Sequence, residues 1–267
     1  IEGLAADFFN DKSAIILALI QLGGLGVMTF GAFFALGQRR GFLVREGVFM
    51  GKLLEADDAT ALRKMIASIF IFTFASEAIG ALLLSTMPTE GDLQERGWFG
   101  LFHSVSAYCN AGFSLLPKNL EGCEMRWQVG GVIAPLIILG GLGFDVLRNV
   151  TQVVFASVRR RLTSANGELG SRPRLTVTSR LVLVTTLGLL VAGAALFFVL
   201  EAGGVLRGEP LQQRLAHSWF QTVTFRTAGF NTVDFSRTQP STRLVAIGMM
   251  FIGASPGSTG GGIKTVV

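Results

Sequence analysis

The chain has 267 residues, 50% of them hydrophobic, with 34 glycines, a formal net charge of +5 and a mean hydropathy of +0.53. Its apolar residues gather in blocks long enough to cross hydrocarbon, which argues against an ordinary soluble domain and for an all-α polytopic membrane protein. The positive charge is no signal for nucleic acid, because the basic residues sit between apolar blocks without interleaved aromatics.

Apolar blocks at about 13–37, 65–87, 127–147, 178–200 and 242–254 are predicted helices. Two shorter blocks, about 97–109 and 214–226, are too short to span. The order is span, span, short helix plus loop, span, span, short helix plus loop, span. That is the pattern of repeated M1, pore loop, M2 units, beginning inside one unit and ending inside another. No basic leader precedes the first block, so the chain is expected to be an excised piece. Cys109 and Cys123 allow at most one disulfide and are expected to be free thiols.

Charge placement orients the blocks. The 38–64 linker carries Arg39, Arg40, Arg45, Lys52, Arg63 and Lys64, and the 148–180 linker carries Arg148, Arg159, Arg160, Arg161, Arg172, Arg174 and Arg180. Both are expected to be cytoplasmic. Segment 85–126 holds Arg96, Lys118 and Arg126 against Glu90, Asp92, Glu95, Glu121 and Glu124, so it can face outward. Both loops after the short helices then lie on the outer side, as re-entrant pore loops, where irregular backbone must be buried in protein or line a wet cavity.

Each short block runs into a similar tetrapeptide, Asn110-Ala111-Gly112-Phe113 and Thr227-Ala228-Gly229-Phe230, 117 positions apart. A glycine there lets consecutive carbonyls turn toward a common axis, and small neighbours let the backbone approach an ion closely. The second resembles the potassium-channel filter Thr-Val-Gly-Tyr-Gly, whereas the first lacks the threonine. Leu22-Gly23-Gly24-Leu25-Gly26 recurs at the same spacing as Leu139-Gly140-Gly141-Leu142-Gly143, and small residues of this kind permit close helix packing.

The glycine-rich run from Gly253 to Thr265 admits two readings. A phosphate-binding loop needs Gly, four residues, then Gly-Lys-Ser/Thr. Gly257 and Gly262 have that separation, but Ile263 displaces Lys264 by one position, and Leu244 to Ile252 reads as a membrane helix where the motif wants a strand. That alternative would make the protein a membrane-embedded nucleotide- or phosphate-binding enzyme, and no catalytic His/Cys/carboxylate cluster accompanies it. The other reading is a membrane helix interrupted at mid-depth by Pro256 and five glycines. Beneath a filter, Gly257, Ser258, Thr259, Gly260, Gly261, Gly262 and Lys264 would form a gate. Lys264 either faces the cation path or snorkels to the cytoplasmic interface.

Several polar residues surround these motifs. Glu77, in an apolar span, is expected to brace the filter by bonding pore-loop backbone. Arg226 is expected to hold the second loop through carbonyls or an outer acid such as Asp234, since a cation inside a filter would repel potassium. Asp145 and Arg148 are expected to form a local pair. His103 and His217 begin the short helices at non-equivalent positions, which argues against a metal site.

Cys109-Asn110-Ala111-Gly112-Phe113-Ser114, Arg226-Thr227-Ala228-Gly229-Phe230-Asn231-Thr232-Val233-Asp234 and Gly253 to Thr265, in that order, resemble the Trk/Ktr/HKT superfamily of potassium transporters, in particular its bacterial membrane subunits. Gln21 to Phe30 resembles that family's first M2 helix. The resemblance implies four M1-P-M2 repeats around a pseudo-fourfold pore, with this chain holding M2 of repeat one (1–40), repeat two (41–160) and repeat three as far as the gating loop (161–267). It implies potassium uptake across the cell inner membrane, K+ at the filter as the only bound metal, coupling to Na+ or H+ left open, and no cofactor in this chain. It also implies a homodimer and a cytoplasmic nucleotide-binding regulatory subunit. Ala254 departs from the glycine expected at its position.

The charge pattern generates a topology prediction. Single cysteines introduced at Gln38 and Ser164 will resist impermeant thiol reagents in intact cells, and one at Gln94 will react. The reverse labelling pattern would invert the orientation.

Overall fold

In hydrocarbon an unpartnered backbone group is costly, and a helix satisfies its own ladder, so long apolar blocks take helical form. The computed structural model describes residues 11–39, 56–87, 93–162 and 174–265, and no strand occurs among them. The helices in chain order are α1 (Asp11–Arg39), α2 (Ala56–Leu84), α3 (Leu93–Tyr108), α4 (Ala134–Leu142), α5 (Phe144–Leu162), α6 (Val177–Leu200), α7 (Leu211–Thr224) and α8 (Pro240–Ile252). The central parts of the two basic linkers, 40–55 and 163–173, lie outside the described residues.

Among the described residues, α1, α2 and α6 contain stretches long and apolar enough to cross a membrane, and the bent pair α4 and α5 makes a fourth if counted as one span. The two short helices have 16 and 14 residues. At about 1.5 Å per residue they reach roughly 24 and 21 Å, short of a hydrocarbon core of about 30 Å. Their length therefore suits entry and return, and each ends in one of the glycine-centred loops.

The block expected as one span over 127–147 is broken. A π-helical turn, Val129–Ile133, leads into α4, which stops at Gly143 with φ 79°. Helix α5 then leaves at 108° and continues to Leu162, so 148–162, read from sequence as linker, is helical. The cause is local. A Cβ at Gly143 would collide with the Pro256 carbonyl oxygen, and the Phe144 amide donates to Gly257 O at 3.2 Å, so the glycine-rich run is seated against the break. Asp145 and Arg148 do not pair within 4.0 Å, contrary to expectation. Asp145 sits in the first turn of α5, where the helix N-terminus already favours an anion.

The short helices form the centre. Helix α3 packs on α2, α4 and α1, while α7 packs on α6 and α4. Phe99, Phe102 and Tyr108 of α3, Phe220 of α7, Met28, Ile69 and Phe230 are almost fully buried around them. The long helices turn apolar faces outward: Ile71, Leu82 and Val184 are 70%, 71% and 64% exposed. Such a surface fits lipid or further membrane helices better than water.

Close approach of α2 and α3 depends on Gly100, where a Cβ would run into the Ala81 carbonyl oxygen. That neighbour is backbone and cannot rotate away. Gly100→Ala will therefore lower the thermal stability of the detergent-solubilised protein by about 1–3 kcal/mol, the cost of overpacking. Gly188→Ala, where the added carbon meets nothing within 4 Å, will be neutral or stabilising by up to about 1 kcal/mol. Equal melting temperatures for the two variants would refute this account of the crossing.

Candidate functional site

Helix α3 ends at Tyr108 and α7 at Thr224, and after each the chain repeats one backbone pattern. Asn110 and Gly112 have φ of 52° and 71°, and their counterparts Thr227 and Gly229 have 69° and 84°. Ala111 and Ala228, between them, stay on the negative side. Alternation of hand turns successive peptide groups the same way, gathering like ends of their dipoles on one side. The two glycines supply the left-handed positions and also let the segments meet. A Cβ on Gly112 would strike Ala228 O and the Gly229 backbone, and one on Gly229 would lie 3.2 Å from Gly112 Cα.

The paired segments are not equal in surroundings. Phe230 is fully buried and its ring stacks 6.4 Å from that of His103, whereas Phe113 is 41% exposed. Asn110 and Thr227 carry side chains in a conformation that costs on the order of 1–3 kcal/mol outside glycine. Both make polar contacts with the same third segment.

That segment is the glycine-rich run. Helix α8 stops at Gly253, φ 57°, and the chain folds back on itself through Ala254 N to Gly261 O at 3.0 Å and Ile263 N to Phe251 O at 2.8 Å. Thr259 Oγ1 accepts from Asn110 Nδ2 at 2.7 Å and donates to Tyr108 O at 3.0 Å. Gly261 N donates to Thr227 Oγ1 at 2.8 Å. Ser255 N and Thr259 N donate to Gly141 O and Gly140 O, fixing the run to α4. Ala254, where glycine was expected, is fully buried with its methyl close to Gly260, so it fills space inside the fold-back.

Of the two partners expected for Arg226, a carbonyl or Asp234, the structure gives it a carbonyl. Arg226 is buried and its Nη2 donates to Gly253 O at 3.3 Å, at the start of the glycine-rich run. It does not bond Asp234, which instead accepts from Ser236 N at 2.9 Å and caps the short turn Phe235–Arg237. Asp234 lies on the exposed limb, where the Ser236 hydrogen bonds hold its carboxyl below the usual range. Glu77 accepts from Gln21 Nε2 at 3.1 Å and from Cys109 Sγ at 3.9 Å, so it reaches side chains, not pore-loop backbone. Lys264 Nζ donates to Gly260 O at 2.7 Å, so its ammonium is used inside the run. The phosphate-loop alternative fails here, because the preceding element is the helix α8 and the lysine is turned into its own loop. Cys109 and Cys123 are buried free thiols.

Two residues read as unremarkable from sequence hold the loops. His103 Nδ1 faces Phe99 O at 2.9 Å, which makes that nitrogen the donor and leaves Nε2 to accept from Ser114 Oγ at 2.9 Å. His217 Nδ1 lies 2.9 Å from Thr232 Oγ1, and its Nε2 lies 3.4 Å from Glu209 Oε2. Each short helix thus ties a buried imidazole to a hydroxyl just beyond its glycine. The 114-residue offset of the histidines differs from the 117 of the glycines because His103 stands nine positions before its glycine and His217 twelve, a difference of about one helical turn.

The sequence matches the model of the family described as TrkH, cation transport protein, over residues 9–267. It is 32% identical over 255 residues to the potassium/sodium uptake protein NtpJ of Enterococcus hirae, covering 94% of this chain and 52% of that protein. To the Ktr system potassium uptake protein B of Bacillus subtilis it is 35% identical over 255 residues, covering 94% and 53%. The fold matches the crystal structure of the potassium transporter TrkH from Vibrio parahaemolyticus with a TM-score of 0.63 at 20% identity, over 99% of this chain and 48% of that one. The chain spans about half the length of the relatives it matches.

Proposed function

The chain belongs to the TrkH family of cation transport proteins, and from that premise we propose that it forms part of a potassium uptake pathway in the cell inner membrane, with a filter at 110–113 and 227–230 and a gate at 253–265. The observation that carries this reading is the meeting of the two glycine-centred segments with the same alternation of φ. Backbone oxygens presented this way can replace the water shell of a dehydrated monovalent cation. Potassium is the cation named for the relatives of similar sequence, one of which is also named for sodium.

The same proposal assigns the repeats. Helix α1 takes the place of M2 of repeat one (1–40), α2, α3 and α4 with α5 make repeat two (41–160), and α6, α7 and α8 make repeat three (161–267). Beside the second segment lies an open recess of about 400 Å3 whose lining includes Glu121, Glu124, Glu209 and Asp234 against Arg207 and Arg237. Four carboxylates against two guanidinium groups favour cation arrival on that side. The gate reading rests on position: the glycine-rich run lies against both filter segments and lacks a continuous helical ladder. A homodimer and a cytoplasmic nucleotide-binding regulator complete the proposal, the regulator supplying the few kcal/mol that separate two loop arrangements. Coupling to sodium or protons stays open.

Filter geometry is tested by uptake kinetics in the intact transporter. Gly112→Ser and Gly229→Ser will each reduce the preference for potassium over sodium, by about tenfold or more. The larger effect falls at Gly112, where the added carbon would overlap the opposing backbone, whereas at Gly229 the nearest opposing backbone atom is 3.2 Å away. Wild-type potassium and sodium kinetics in both variants would refute the filter.

The gate is tested by deleting Gly257 to Gly261. Flux will rise and depend less on the regulator, and selectivity will fall as well, because Thr259 and Gly261 hold Asn110 and Thr227. A deletion protein that inserts normally with wild-type flux and regulation would refute the gate.

A further inference from the structure

The chain leaves the first filter segment, turns at 114–120 and passes beside the second. At that turn Asn119 adopts φ 57°, a left-handed conformation that asparagine tolerates better than most residues. Its side-chain amide reaches two ways. Nδ2 donates to Gly112 O at 3.4 Å, and Oδ1 accepts from Asn231 N at 3.3 Å. The next residue completes the contact, with Leu120 N donating to Asn231 O at 3.0 Å. Both backbone groups of Asn231 are thereby paired, one to a side chain standing in for backbone.

The geometry points to Asn119 as a positioning residue for ion selectivity, a single amide that spans from the glycine of one filter segment to the ascending limb of the other. This inference rests on the filter reading of 110–113 and 227–230 and adds a residue outside both. Gly112 O is one of the oxygens proposed to face the ion. A donor on it fixes its direction and draws on its electron density, and selectivity depends on the number and field strength of such oxygens. Asn231 stands two positions beyond Gly229, so the other end of the amide fixes the second segment relative to the first. The strap is anchored on α3, because Leu116 N donates to Ser114 Oγ at 3.1 Å and that hydroxyl is bound to His103.

The amide orientation follows from its partners, since only the carbonyl oxygen can receive Asn231 N–H and only the NH2 can serve Gly112 O. Asn119→Asp keeps the acceptor for Asn231 and sets a carboxylate oxygen against Gly112 O. Asn119→Gly keeps the left-handed backbone and loses both side-chain bonds.

The test compares potassium uptake, and its inhibition by sodium, in the intact transporter carrying Asn119→Gly, Asn119→Asp or Gly112→Ser, with membrane levels measured by immunoblot. Asn119→Gly will lower potassium-over-sodium preference roughly fivefold at unchanged membrane level, from the loss of two modest hydrogen bonds. Asn119→Asp will lower it further. If Gly112→Ser loses selectivity while both Asn119 variants keep the wild-type ratio, the filter stands and the positioning role is refuted. The role is equally refuted if Asn119→Gly lowers membrane level and maximal rate alone with the ratio intact, since that is a folding defect. If none of the three alters the ratio, the filter reading itself fails and takes this inference with it.

Discussion

Backbone that leaves the helix at membrane depth must find partners for its peptide groups within the protein or in trapped water, and the rest of this structure depends on that constraint. Among the described residues, three of the segments that leave the helix are those at 109–113, 225–230 and 253–265. They lie together, and each supplies part of what the others lack. Tyr108 O receives Thr259, Gly253 O receives Arg226, and Gly261 N finds Thr227. The short helices α3 and α7 exist to carry two of these segments inward, and α8 ends to form the third. Isolated in lipid, any one of them would leave several donors and acceptors bare.

Glycine makes the assembly possible in two separate ways. At Gly112, Gly229 and Gly253 the backbone has positive φ and another backbone lies within the volume of a Cβ. At Gly140 the conformation is helical, yet a Cβ would collide with Tyr108 O, so the requirement there is space alone. One glycine in each copy of the repeated Leu-Gly-Gly-Leu-Gly motif makes room for the end of α3 and for Thr259. In α4 Gly140 admits Tyr108 O and Thr259, and in α1 Gly24 admits the Cys109 side chain and the Thr259 methyl, whereas Gly23 and Gly26 meet nothing within 4 Å.

Much of the architecture was legible in the sequence because it follows from block length. Five long and two short apolar blocks fall on helices, and the tetrapeptides that follow the short ones stand where two helices end beside each other. What stayed hidden depends on contacts between residues far apart in the chain. The break at Gly143 follows from Pro256 and Gly257, more than a hundred positions downstream, and nothing within 127–147 marks that glycine above its neighbours. Arg226 sits near the exposed Asp234 in sequence, but a buried guanidinium is drawn to the carbonyl its own depth offers, at Gly253. The histidines failed the repeat test because His217 lies about one helical turn further from its glycine than His103 does. Asn119 carries no motif, and its left-handed φ and twin partners emerge only once two loops are folded against each other.

The hydrogen bonds shared between the two glycine-centred segments and the glycine-rich run couple their movements. A displacement of the run must break the bonds from Arg226 to Gly253, from Gly261 to Thr227, from Asn110 to Thr259 and from Thr259 to Tyr108. At a net worth of about 0.5–1.5 kcal/mol each, their combined loss is of the order of a few kcal/mol. That is the scale of a typical coupling free energy between two sites. Movement of the run and reorganisation of the two glycine-centred segments are then linked in both directions. On the proposed reading, an ion that stabilised Asn110 and Thr227 in their left-handed conformations would also stabilise the run against them, and a partner that pulled the run away would loosen those two segments.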